Sequence, residues 1–379
     1  MQSTHKVDKF IRLKALVTKE FFQIVRDPST IVISVILPML LLFLYCYGVN
    51  LDLDHLRIGI VMEDTAPDAQ SLVQSFTDSR YFDAKIWRDR HAVVDEITRG
   101  SIRGFVVIPS YFSEFRAKPS VIAPIQVIAD GSEPNTANFV QNYVQSAYSN
   151  WLQQEAISSN LTGLSLVQAQ PRYWYNEELQ SRFFLLPGSL AIIITLIGTL
   201  LTALVVSREW ERGTMESLMA TPVGIFEIIM GKMIPYFMLG MISVTICVIV
   251  SVFVYDLPLR GSVLVLGFVS ATFLFCALSL GLLLSTLSKN QVVATQLALI
   301  MGFMPAYMLS GFIFEIASMP TYIQIFTYIV PARYFVQCLQ TLFLVGNVWE
   351  LILFNTLAML VFGIIIFLIT AKVTVKRLD

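Results

Sequence analysis

Charge is what this chain of 379 residues has least of: 14% of its side chains are Asp, Glu, Lys or Arg, against about 25% in an ordinary globular domain. Together with 55% hydrophobic residues and a mean hydropathy of +0.68, that deficit excludes most water-soluble folds and makes lipid the solvent over much of the surface. A net charge of -1 leaves no basic surface for nucleic acid. Histidine is scarce, and His5, His55 and His91 share no ligand spacing, which argues against a metal site. The four cysteines, Cys46, Cys247, Cys276 and Cys338, fall in or near apolar segments and read as small hydrophobic fillers. No phosphate-binding loop occurs: the pair Gly231-Lys232 has Phe226 where the first glycine of G-x-x-x-x-G-K-[ST] would stand. Without that loop, a G-x-S-x-G elbow or an H-E-x-x-H pair, neither ATP hydrolysis nor other catalysis by this chain is expected, and no bound cofactor.

What the sequence does have is six apolar stretches, at 31–49, 183–206, 233–254, 263–287, 292–314 and 351–370. Each approaches or exceeds the roughly 20 helical residues that cross about 30 Å of hydrocarbon. None holds an Asp, Glu, Lys or Arg, which removes the charged path an ion antiporter would need. Lys and Arg cluster in residues 1–29, in the link 207–232, at Lys289 and after Lys372. They resist translocation, so both termini are expected in the cytoplasm and residues 50–182 outside. The first stretch lies behind a charged stretch of about 30 residues and is too long for the apolar region of a signal peptide, so it reads as an anchor.

Residues 50–182 hold 27 of the 53 charged side chains, the mark of a water-soluble domain. Short β-branched or aromatic runs at 57–62, 82–87, 104–108 and 125–129 predict strands, with helices at 66–76, 92–99 and 136–155. The expected fold is an α-helical polytopic membrane protein of six transmembrane helices, with an extracytoplasmic α/β domain between the first two. Its parts are an amphipathic segment 1–29, the first span 30–49, the domain 50–182, the remaining spans in 183–371 and a tail 372–379.

Three segments invite a function. Over 10–27, Phe10, Leu13, Val17, Phe21 and Ile24 share one helical face and Arg12, Lys19 and Arg26 the other; this reads as an interfacial helix with its cations toward lipid headgroups, or simply as a topology anchor. In 207–224, Glu209, Glu211, Arg212 and Glu216 surround Gly213. Periodicity alone reads this stretch as a solvated loop, yet a break at Gly213 into two short helices would suit a segment that receives force from a soluble partner. In 309–336, Gly311, Pro320 and Pro331 interrupt an apolar run while Glu315 and Arg333 forbid deep lipid exposure. A helical hairpin in the outer half of the bilayer is expected there, serving as a gate or as a static lid.

Four motifs in these places carry a resemblance: Ile24-Val-Arg-Asp-Pro28, Asp130-Gly-Ser-Glu-Pro-Asn-Thr-Ala-Asn-Phe139, Arg208-Glu-Trp-Glu-Arg-Gly-Thr-Met-Glu216, and Leu309-Ser-Gly-Phe-Ile-Phe314 with Met319-Pro320 and Pro331-Ala-Arg-Tyr-Phe335. Over nearly its whole length the chain resembles the permease subunits of ABC-2-type exporters, in particular the YbhS-type permeases of bacterial multidrug exporters. It departs from them at Asn176-Glu177, where relatives tend to have Asn-Pro. The resemblance implies a multi-pass protein of the bacterial inner membrane that pairs with a second permease chain, identical or related, and docks on a separate ATPase holding ATP and Mg. It further implies that Arg208, Glu209, Glu211, Arg212, Gly213, Thr214 and Glu216 form the coupling region, with a smaller contact at Lys289, and that a drug-like or lipid-like cargo is exported. The competing class is a membrane-anchored protein whose outside domain binds or senses a ligand.

Overall fold

The computed structural model describes residues 2–48, 55–79, 81–116, 125–131, 134–158, 175 and 181–374. The Asn176-Glu177 departure and the end of the tail lie outside the described residues. The chain divides into two compact units, Met1–Asn50 with Arg172–Asp379, and Leu51–Pro171.

In the larger unit six helices are long and apolar enough to cross a membrane: Pro28–Gly48, Arg182–Glu211, Ile225–Phe253, Val263–Ser288, Gln291–Leu309 and Trp349–Val373, hereafter spans one to six. Their ends differ from the apolar stretches for a simple reason. Helix propagation needs backbone hydrogen bonds, not apolar side chains, and Arg, Glu and Lys are good helix formers. Span two therefore continues past Val206 to Glu211, and span three begins at Ile225 rather than at Met233. The expectation of charge-free spans holds for the apolar stretches but not for the helices, which carry Arg208, Glu209, Glu211, Glu227 and Lys232 at one end. Span five stops at Leu309, short of Phe314, because the chain turns through Gly311 at φ 86°.

Span two is the axis of this unit. Of its apolar window 94% is buried, against 22% in spans one and five, and it packs against spans one, three, four and five. A helix apolar on all sides suits that central place, while the outer spans turn their exposed apolar sides to lipid. Small residues set the seam between spans two and four. Thr202 Oγ1 donates to the Leu278 carbonyl at 2.9 Å, and Ser285 Oγ accepts from the Val206 and Ser207 N–H groups at 3.1 and 2.9 Å. A Cβ at Gly281 would overlap Thr202 Oγ1 and the Thr199 carbonyl.

Between spans five and six, the helix Thr321–Thr327 meets Pro331–Val345 at 84°. Phe312, 1% exposed, lies against Gly188 of span two, and Phe335 stacks on Phe273 of span four with ring centroids 4.1 Å apart. These two rings anchor the broken segment to the bundle.

The smaller unit is a four-stranded sheet of β1 (Leu56–Met62), β2 (Phe82–Trp87), β3 (Gly104–Ile108) and β4 (Gln126–Ala129), in the order β2-β1-β3-β4. β1 pairs in parallel with β2 and β3, and β4 runs antiparallel to β3. Period-two side-chain placement sends Ile58, Ile60, Val106 and Ile108 into one core with the helices Pro67–Thr77 and Pro134–Ser158. Val61, Phe105 and Val107 enter the other core, against Val93 of the helix Arg90–Thr98. Both faces of the central strands are thus covered, as parallel pairing requires.

Replacing Gly281 by Ala should lower the stability of the larger unit by about 1–3 kcal/mol through overpacking, read as a lower melting temperature of the purified chain in detergent. An unchanged melting temperature would show that the seam is looser than its geometry.

Candidate coupling site

Where the apolar part of the bundle ends, three helices carry charges into a buried place. The amino-terminal helix Gln2–Val25 lies along span three, close enough that a Cβ on Gly231 would meet Leu16 Cβ at 2.8 Å. That approach brings Glu20 beside Lys232 of span three and Glu209 of span two. Lys232 Nζ is 3.1 Å from Glu20 Oε1 and 2.9 Å from Glu209 Oε2. Lys19 Nζ donates to Glu209 Oε1 at 2.5 Å and to Glu20 Oε1 at 3.2 Å. Glu20, Glu209 and Lys232 are each no more than 3% exposed, and Lys19 closes the ring from the half-exposed side. Two carboxylates and two ammoniums alternate, so the cluster is neutral; an isolated buried charge here would be costly. Burial alone would pull the Lys19 ammonium down, but the Glu209 and Glu20 carboxylates outweigh it and hold its pKa above the ordinary lysine value.

A second tie lies beside the first. Asp27 caps span one, accepting from Ser29 N–H at 3.1 Å, Ser29 Oγ at 2.6 Å and Thr30 Oγ1 at 2.7 Å, with Pro28 in the first helical turn. Its carboxylate also accepts from the Arg208 guanidinium. Partial burial would raise the Asp27 pKa, but the hydrogen bonds from Ser29, Arg208 and Thr30 prevail and hold it well below the usual carboxylate range. A depressed carboxylate pKa stabilises above the unfolded value of about 4 and is lost as pH falls through the folded value, so this tie persists at neutral pH. Arg12 makes a third tie, donating to the Pro222 carbonyl at 2.9 Å and to Glu227 Oε1 at 3.5 Å.

The link between spans four and five joins the same end. Glu211 accepts from Gln291 N–H at 2.8 Å and from Gln291 Nε2 at 2.5 Å, and Lys289 Nζ lies 4.6 Å from the centroid of the Trp210 ring. Asn290 caps span five through Val293 N–H at 3.1 Å. After span two, Gly213 at φ 68° reverses the chain into the short helix Thr214–Met219, which buries Met215 and leaves Arg212, Thr214 and Glu216 exposed.

The expected site residues therefore divide. Arg208 and Glu209 of the predicted coupling region face inward and bond other helices, and Glu211, though exposed, bonds Gln291; Arg212, Thr214 and Glu216 are exposed beside it. The shared headgroup-facing side expected of Arg12, Lys19 and Arg26 is not what the side chains form: Arg12 and Lys19 bond protein carboxylates, and Arg26 alone is exposed without such a bond among the described residues. In the hairpin, Gly311 makes the turn, Glu315 is exposed, and Pro320 and Pro331 each precede or begin a helix. Arg333 donates to Thr327 Oγ1 and lies 3.9 Å over the Tyr328 ring. Sequence reasoning missed Glu20, Lys232, Asp27 and Glu227 as partners. The available signal was Lys232 standing directly before an apolar run, where only an opposite charge from another helix could neutralise it.

Lys232→Met should leave Glu20 and Glu209 facing each other and cost about 3–5 kcal/mol, most of it recovered in Glu20→Gln/Lys232→Met. Melting of the purified chain measures both, and equal losses in the single and double variants would show that the charges do not interact.

Residues 28–372 match a family described as ABC-2 family transporter protein. The chain is 47% identical to the probable multidrug ABC transporter permease YbhS of Escherichia coli, over 97% of its own length and 98% of that protein. It is 28% identical to the probable multidrug ABC transporter permease YbhR of the same organism, over 88% and 90% of the two chains. It is 27% identical to the E. coli inner membrane transport permease YhhJ, over 63% of its own length and 64% of the relative. A span bundle of this kind with a family match from the first span to the last makes the chain an ABC-2 transporter permease subunit, a member of the ABC-2 family.

Proposed function

We propose that this permease exports a drug-like or lipid-like amphiphile across the bacterial inner membrane, driven by a separate subunit that binds ATP with Mg and hydrolyses it. The observation that carries this reading is the short helix Thr214–Met219, which follows the turn at Gly213, is exposed at Thr214 and Glu216, is seated on the bundle by buried Met215 and adjoins the charge-tied end of span two. A solvated loop would yield under load; a helix seated on the bundle would pass displacement on to the spans. The ATPase would press on Arg212, Thr214 and Glu216, with Lys289 as a smaller second contact. Both termini and the links 207–224 and 288–291 then lie in the cytoplasm, and residues 50–182 in the periplasm. The hairpin at 309–336 lies toward the outer leaflet. The names of YbhS and YbhR support a multidrug cargo. The wide apolar faces of spans one and five, each 22% buried, support pairing with a second permease chain, identical or related.

Arg212→Glu with Glu216→Arg should reduce ATP-driven export from proteoliposomes containing the ATPase subunit by about tenfold, the effect of losing roughly 1.4 kcal/mol at a docking surface. Insertion and melting should stay as in the wild type. Undiminished export with these two charges reversed would refute the coupling role of the short helix.

A further inference from the structure

We infer that Glu20 and Lys232, which none of the motifs includes, are positioning residues for transport: with Glu209 and Lys19 they clasp the amino-terminal helix, span two and span three into one moving body. The inference deepens the export reading and rests on it. Glu209 stands five residues before the exposed helix Thr214–Met219 and divides its carboxylate between two other elements, Oε1 to Lys19 and Oε2 to Lys232. Glu20 Oε1 returns the contact to both ammoniums. Any shift of the end of span two relative to its neighbours by more than an ångström or two would open these contacts. Charges buried to within 3% of fully would then face no partner, a state disfavoured far more strongly than moving the three helices together. Leu16 seated on Gly231 brings the amino-terminal helix close against span three, within reach of these ion pairs. Arg208, one residue before Glu209, holds the cap of span one through Asp27, so the same displacement bears on the start of that span too.

The geometry therefore assigns the amino-terminal helix a mechanical part. It is the cross-member through which a push on one link reaches spans one and three as well as span two. A buried charge cluster suits that part better than an apolar contact of equal area: dispersion and hydrophobic contact tolerate sliding, whereas paired ions in low dielectric fix a register.

The test uses the full chain with its ATPase subunit in proteoliposomes, and a fluorescent amphiphilic dye as cargo. Glu20→Gln/Lys232→Met removes one charge of each sign, so the cluster stays neutral, the variant inserts and its ATPase partner still hydrolyses ATP. Dye exported per ATP hydrolysed is expected to fall about tenfold. The fourfold inversion Lys19→Glu/Glu20→Lys/Glu209→Lys/Lys232→Glu restores alternating charges and should return the ratio to within about twofold of the wild type. A second measurement needs no ATPase: amide exchange over residues 10–25 of the chain in nanodiscs should rise about tenfold in the double variant. An unchanged exchange rate, or an unchanged export-to-ATP ratio, would overturn the clasp. Absence of ATP-driven export in the wild type would instead sink the parent reading, and the exchange experiment would still decide whether the clasp exists.

Discussion

Glu209 sits where neither water nor lipid can stabilise its charge, and the arrangement of the whole charged end follows from that. A carboxylate 3% exposed must find cations, and the cations come from other helices, because the neighbouring Arg208 of span two is already committed to Asp27. Lys232 answers from span three and Lys19 from the amino-terminal helix. Lys232 in turn is buried and needs Glu20 as well. The closed neutral ring forces the amino-terminal helix to lie along span three rather than elsewhere on the bundle, and Gly231 removes the one side chain that would hold it off. Electrostatic necessity here acts as a locating device, and packing supplies the fit.

The two units solve the problem of burial in different solvents. In the sheet unit, alternation along β1 and β3 fills two cores, and covering helices keep the apolar side chains from water. In the span unit lipid is no less apolar than the protein interior, so apolar burial drives little. Close approach at Gly281, the Thr202 and Ser285 hydrogen bonds and the stacked rings of Phe273 and Phe335 hold the helices instead. Span two accordingly presents Gly198, Thr199 and Thr202 at its close approaches to span four.

Much of this was legible in the sequence. Strand positions followed from β-branched runs such as Gly104–Ile108, which alternate between two cores and stop at turn residues. The six crossings followed from length and apolarity, and the broken segment from Gly311, Pro320 and Pro331. The charged ends were not legible, because a one-dimensional pattern shows which residues are charged but not which helix supplies the opposite charge. Arg12 and Lys19 look like headgroup ligands when the amino-terminal helix is considered alone; once Leu16 lies on Gly231 they fall within reach of Glu227 and Glu209. Glu209 and Arg212, three residues apart, read alike in sequence, yet one is buried and the other exposed, since the helix turns its sides to different solvents before Gly213 ends it.

That division matters for how force can pass through the molecule. A residue cannot both grip a partner subunit and brace its own helix. The proposed tasks are separate in position: Arg212, Thr214 and Glu216 about Gly213 are exposed, and the inward Arg208 and Glu209 tie span two to spans one and three and to the amino-terminal helix. Glu211 and Trp210 extend the tie to Gln291 and Lys289, bringing spans four and five to the same end. Spans one, three, four and five thus each have a polar or ionic connection to the last turns of span two, the most buried of the six spans. Under the proposed coupling, a displacement delivered there would reach the lipid-facing helices through bonds of defined register.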